Sequence, residues 1–585
     1  MSREEDPGFR EFERFLKNWS RRDFIKNTSA SFAFAVFLAG GVEALLAACG
    51  TTTSSTHGPV KKGGHVIEGT TSDPTTFNAI FAQDTASTIP IGMMFSVLLN
   101  SRQDGTPIPE LAKSVPKPSS DGLTYKFDLR TDVKWSDGQP LTADDFVWTF
   151  QIQYDPRWAD LVNAPNAADF KDYIQSVTAP DPHTLVIQLK KTYAPFLQDY
   201  LVGFTPLPKH VLGPVVDKDP KSLRTNSFSS NPTVTSGAFT FSKWEKSQQI
   251  VLLANPNYFL GRPNLDQYVI KNASSSVAIT NQLKTGELDV GGIDPSLWDD
   301  TATASNLNRV SFVSPSWEWY GYQMDPDNPK GRASGKIFGD PTTGKQVRQA
   351  LYWALDRQAL ADRVYFKQAV PATSVLPATS WALAADVPKY GFDRKKATDL
   401  LDAAGWKPGS DGIRVKNGQR FSFEVITNVG NKTREGVVQV LAEQWKQIGI
   451  ECIPKLIQFS DYTKTRQTRD FDMVMGGITF GVDPSDINAQ YETKFIGKSA
   501  NRMGYKNPQV DDLLETALGV TDQAKRKQIY DQVQKILMDD LPSPGLVLPR
   551  SLWGISKRVN NFNVGAFNRY AARPWLKDVW VSDGK

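Results

Sequence analysis

Cysteine and histidine are scarce in this chain: 585 residues hold two cysteines, Cys49 and Cys452, and four histidines. A disulfide framework is excluded if either cysteine is consumed elsewhere, and no Cys-x-x-Cys or His-Glu-x-x-His spacing offers a redox or metal centre. His57 and His65 lie in or beside a Thr/Ser/Gly stretch without further ligands, His183 follows Pro182 in a turn, and His210 sits in a proline-rich link. Also missing are a Gly-x-Ser-x-Gly elbow and a Walker-type phosphate loop. An excess of one charge is absent too. With 67 basic and 63 acidic residues, a net charge of +4 and no long Lys/Arg run, nucleic acid is a poor partner. Acidic pairs such as Asp299-Asp300 and Asp539-Asp540 read as solvated charges. The expectation is a chain with no catalytic residues, no metal and no cofactor, and an envelope hydrolase or a scaffold or chaperone lipoprotein is the weaker alternative.

A long apolar run is the last absence. Residues 30–48 are apolar but carry Gly40, Gly41 and Glu43, whereas a membrane span needs about 20 uninterrupted apolar residues. The segment follows Ser20-Arg21-Arg22-Asp23-Phe24-Ile25-Lys26, which is similar to a twin-arginine export motif with Arg21 and Arg22 as its pair. It ends in Leu46-Ala47-Ala48-Cys49, which matches a lipobox: small residues before a cysteine that becomes the lipidated first residue of the mature chain. Residues 1–48 are therefore read as a signal peptide, Cys49 as the lipidation site, and 49–64 as a flexible tether. This puts the protein in the cell envelope, on the extracytoplasmic face of the membrane to which the lipid anchors it.

Within the mature chain, Leu123, Tyr125, Phe127 and Leu129 alternate with polar residues, the period of a strand with one buried face. Asp137-Gly138 then marks a turn, and Thr142 with Asp144 and Asp145 caps a helix. Farther on, the spacing predicts helices around 347–355, 397–404 and 437–448, with strands at 421–426 and 450–457. Such alternation argues an α/β fold, and 585 residues exceed one hydrophobic core.

The ordered set of segments resembles the family 5 extracellular solute-binding proteins, the oligopeptide- and dipeptide-binding components of ABC transporters. The capped unit at 111–147 carries the resemblance, with Asn255-Pro256-Asn257-Tyr258, Leu283-Lys284-Thr285-Gly286-Glu287-Leu288-Asp289 and Val347-Arg348-Gln349-Ala350-Leu351. It implies a large two-lobed periplasmic-binding-protein-like fold with an extra domain and a ligand cleft between the lobes. The implied division is a first lobe at 65–322 (65–100 and 228–322, with 101–227 inserted), a second lobe at 323–545, and a return of 546–585 to the first. It also implies a monomer that captures a peptide, peptide-like or oligosaccharide solute and hands it to ABC permease subunits.

Two stretches are candidates for the ligand site. Trp317, Trp319 and Tyr320 supply aromatic wall, and Phe480 and Asp483 lie in the strand and loop that reach the cleft in family members. In peptide binders of the family an aspartate before the final Asp-Pro pairs with the ligand's free α-amine. Here no acid occupies 479–482, which predicts weak binding of free-amine peptides and leaves sugar-like or blocked ligands open.

Overall fold

The computed structural model describes residues 59–584 apart from 83, 329–331, 333, 498–499 and 567–573. The readings made for Arg21, Arg22 and Cys49 lie outside the described residues.

The capped unit forms as its pattern requires. Tyr125 and Phe127 point inward from the strand Thr124–Asp128, and the helix Ala143–Tyr154 starts where Asp145 accepts a hydrogen bond from the Thr142 N–H at 3.0 Å. Asp145 also accepts from the Lys209 N–H at 3.1 Å, so one buried carboxylate ties the helix start to the proline-rich link. His210 is accounted for by Asp137, 2.8 Å away on the surface. The strand Thr124–Asp128 joins Thr184–Leu189 and Ile174–Asp181 in a three-stranded antiparallel sheet. This inserted segment has its own sheet, but its core is continuous with that of the first half: Phe146 and Phe150 belong to the same cluster as Val66 and Tyr268.

The second half is built on a parallel unit. Ser422–Asn428 and Glu451–Ile457 pair in parallel across the helix Lys432–Lys446, whose Val437, Val438, Leu441 and Trp445 form the buried stripe. Asn431 caps that helix, and Gly449 takes the chain out at φ +81°, a conformation that suits glycine. Cys452 is a buried free thiol whose pKa burial pushes up.

A twelve-stranded sheet runs through both halves. The strand Gly545–Ser556 belongs to each: its first residues pair with Ser316–Tyr322 and Ala369–Pro371, its later ones with Leu307–Val313 and Val290–Gly292. The change of partner falls at Pro549, opposite Ser314 and Pro315, where Ser314 N donates to the Pro549 carbonyl at 3.3 Å. Two prolines lacking N–H groups thin the ladder there, and this crossing is the covalent junction of two separate cores.

The strand Ser316–Tyr322 lies beyond that crossing. It pairs along its whole length with Met473–Thr479 and packs in the second core, so the expected boundary at 322/323 moves back to Ser314–Pro315. The expected return at 546 likewise moves to about Pro549.

Candidate functional site

Period-2 alternation splits the aromatic candidates between two faces of one strand. Trp317 and Trp319 share a face. Trp317 lies over Gly545, where any Cβ would collide with its ring, and 5.5 Å from the Phe480 ring; Trp319 covers Gly321 and Gly476. Tyr320 points the other way, 0% exposed, against Trp445 and Tyr322. Tyr320 is thus a core residue and not part of a ligand wall, a correction the sheet pleat imposes. Trp317 and Trp319 are also buried, at 1% and 7% exposure, and neither indole N–H finds an acceptor among the described residues.

The loop after Met473–Thr479 carries the polar part. Phe480 turns inward while Thr479 and Gly481 stay exposed. Asp483 is 5% exposed, accepts from Ser485 N at 3.0 Å, and holds Arg526 through two contacts of 2.7 Å. With three hydrogen bonds accepted and its charge answered by Arg526, Asp483 anchors the loop.

Across from the loop stands a residue that sequence reasoning missed. Asp199 lies on the single turn Leu197–Leu201 of the inserted segment, and its Oδ2 accepts from Tyr193 Oη and from Ser485 Oγ, each at 3.2 Å. The second contact spans the two halves, as does the bond from Ala194 N to the Leu518 carbonyl at 2.7 Å. Asp199 keeps accessible surface although protein crowds around it. Desolvation, with the charges of Asp483 and Asp486, pushes its carboxyl well above the usual range. Asp486, whose carboxylate accepts from Gly481 N, is pushed up to about 6, chiefly by burial. An acid amid Tyr193, Phe196, Tyr200 and Leu201 was the available signal: charge inside an aromatic run needs a reason.

This two-core molecule with a junction loop matches the family model of bacterial extracellular solute-binding proteins, family 5, over residues 106–499. An oligopeptide-binding protein, AppA of Bacillus subtilis, is 30% identical over 535 residues, 88% of this chain and 93% of that protein. The chain belongs to family 5. Another relative of this solute-binding family, heme-binding protein A of Haemophilus influenzae, is 26% identical over 79% of this chain and 83% of its own length. The structure of Bacillus subtilis AppA in complex with a nonapeptide superposes with a TM-score of 0.74 at 28% identity, covering 90% of this chain and all of that one. The two-lobed α/β fold is therefore that of an extracytoplasmic solute-binding protein. Among the described residues no helix is long and apolar enough to cross a membrane.

Proposed function

We propose that this family 5 protein captures peptides between its two halves and passes them to an ABC permease, tethered to the membrane by lipid on Cys49 after twin-arginine export through Arg21 and Arg22. The observation that carries the peptide reading is the 30% identity, along nearly the whole chain, to a protein named for oligopeptide binding. The crossing at Ser314–Pro315 and Pro549 supplies a hinge, because only two paired strands join the cores there. A ligand touching both halves stabilises the closed state over the open one, and closure follows from that difference in affinity. Trp317, Trp319 and Phe480 form the apolar backing of the loop. Asp483 positions that loop through Arg526.

Native mass spectrometry of gently purified protein tests the ligand class: co-purified masses that sequence as peptides are expected, and a sugar or other non-peptide adduct contradicts the reading. The address is tested separately. Cys49→Ser should release the protein from membranes, and Arg21→Lys with Arg22→Lys should block export; attachment unchanged in the Cys49 variant would defeat the anchor.

A further inference from the structure

The helix Pro508–Gly519 divides its side chains between the two halves. Val510, Leu513, Leu514 and Ala517 pack in the second core. Leu518, half-buried in the last turn, packs instead against the core of the first half, and among the described residues it is the only hydrophobic side chain of 316–545 to do so. The backbone crosses at the same point. A helix ends in carbonyls that no intrahelical N–H can reach, and the Leu518 carbonyl takes its donor from the inserted segment, Ala194 N at 2.7 Å. Ala194 stands before Pro195, which disfavours helical backbone there and leaves the N–H to a partner outside the segment.

Contacts on either side extend this touch into a seam. Thr521, in the link to the helix Gln523–Asp540, sits against the turn at Gly122, where an added Cβ would lie 3.6 Å from its methyl carbon. Lys191 and Glu515 face each other closely enough for their opposite charges to interact, and Ser485 reaches Asp199. None of these residues belongs to the crossing at Ser314–Pro315 and Pro549. The halves therefore meet a second time, through contacts that can part without breaking a strand.

We propose that this seam is a latch: Leu518, packed on the first core with its carbonyl held by Ala194, stabilises the closed arrangement before any ligand is bound. Partial burial of one leucine with one shielded hydrogen bond shifts an open–closed equilibrium by roughly five- to tenfold. That populates closure without preventing opening. A ligand then has only the remaining cost of closure to meet, and the latch slows its departure. The inference rests on the closure reading above but concerns the protein without ligand.

Hydrogen exchange of the segment holding Ala194, together with small-angle scattering, tests the latch on the mature chain stripped of co-purified ligand. Leu518→Ala and Leu518→Gln keep good helix formers in the last turn, and their far-UV circular dichroism should match the wild type. In both, the Ala194 segment should exchange roughly fivefold faster or more, and the radius of gyration should rise. Thr516→Ala, on the exposed side of the same helix, is the control and should alter neither. Leu518 variants indistinguishable from the wild type in either readout, an equal change in the Thr516 variant, or a wild-type Ala194 segment that exchanges as fast as an unstructured chain overturns the proposal. Adding alanine pentapeptide separates the latch from ligand-driven closure. A wild-type radius unmoved by peptide, with the Leu518 variants still expanded, defeats closure by ligand and leaves the latch standing. Compaction of the wild type by peptide, with Leu518 variants that match it when peptide is absent, defeats the latch and leaves closure standing.

Discussion

Asp483 and Asp199 are near enough for the charge of one to shift the titration of the other, yet they are opposites. Asp483 is buried and held by Arg526 through two hydrogen bonds, so its charge is already answered inside the protein. Asp199 is accessible, accepts from Tyr193 and Ser485, and among the described residues is answered by no cation. The sequence makes the first look like the ligand group, because it stands in the motif that reaches the cleft. In the structure the first is spent on Arg526, while the second stays accessible. An acid's function depends on what remains unpaired around it, and motif position alone does not report that.

The largest break in this contrast comes from removing the satisfied acid. Asp483→Ala should lower stability by about 3–5 kcal/mol in denaturant unfolding, since it strands the buried Arg526 guanidinium. Asp483→Leu combined with Arg526→Met should recover much of that loss; a loss under 1 kcal/mol for Asp483→Ala would show that the pair is not structural. A smaller break lies at the crossing strand: Gly545→Ala forces a methyl into the Trp317 ring and should cost about 1–3 kcal/mol, read as a drop in melting temperature.

The acids that have no cationic partner among the described residues should behave in the opposite sense. Asp486 has a raised pKa in the folded state, so the folded protein binds more protons than the unfolded chain between the ordinary carboxylate value and about 6. Stability should therefore fall as pH rises through that window, and Asp486→Asn should flatten the slope. Smallest of all, Asp199→Asn should change the stability of unliganded protein by no more than about 0.5 kcal/mol at pH 7, toward greater stability if anything. A loss comparable to that of Asp483→Ala would make Asp199 a structural residue.

Local pattern was legible in the sequence because it depends on neighbours a few residues away. The inward Tyr125 and Phe127, the capped start at Thr142 and the stripe ending at Trp445 all follow from spacing and from end residues. The family resemblance extended that reading to two lobes. What could not be read depends on pairing across long stretches of chain. Ser316–Tyr322 joins the second core only because Met473–Thr479 lies beside it, and Tyr320 leaves the ligand wall only because the pleat turns it toward Trp445. Arg526 lies 43 residues beyond Asp483 in another helix, and Asp199 lies 286 residues before Ser485, so no local spacing couples either pair. The vacancy at 479–482 was read correctly as composition.

Closure of the two halves around a peptide is the claim on which the rest depends, and small-angle scattering of the mature protein at neutral pH measures it most directly. With a saturating mixture of free-amine peptides the radius of gyration should be smaller than without, and the melting temperature should rise with peptide concentration as binding to the folded state requires. Identical scattering curves with and without peptide, at concentrations where calorimetry reports saturation, would contradict the account.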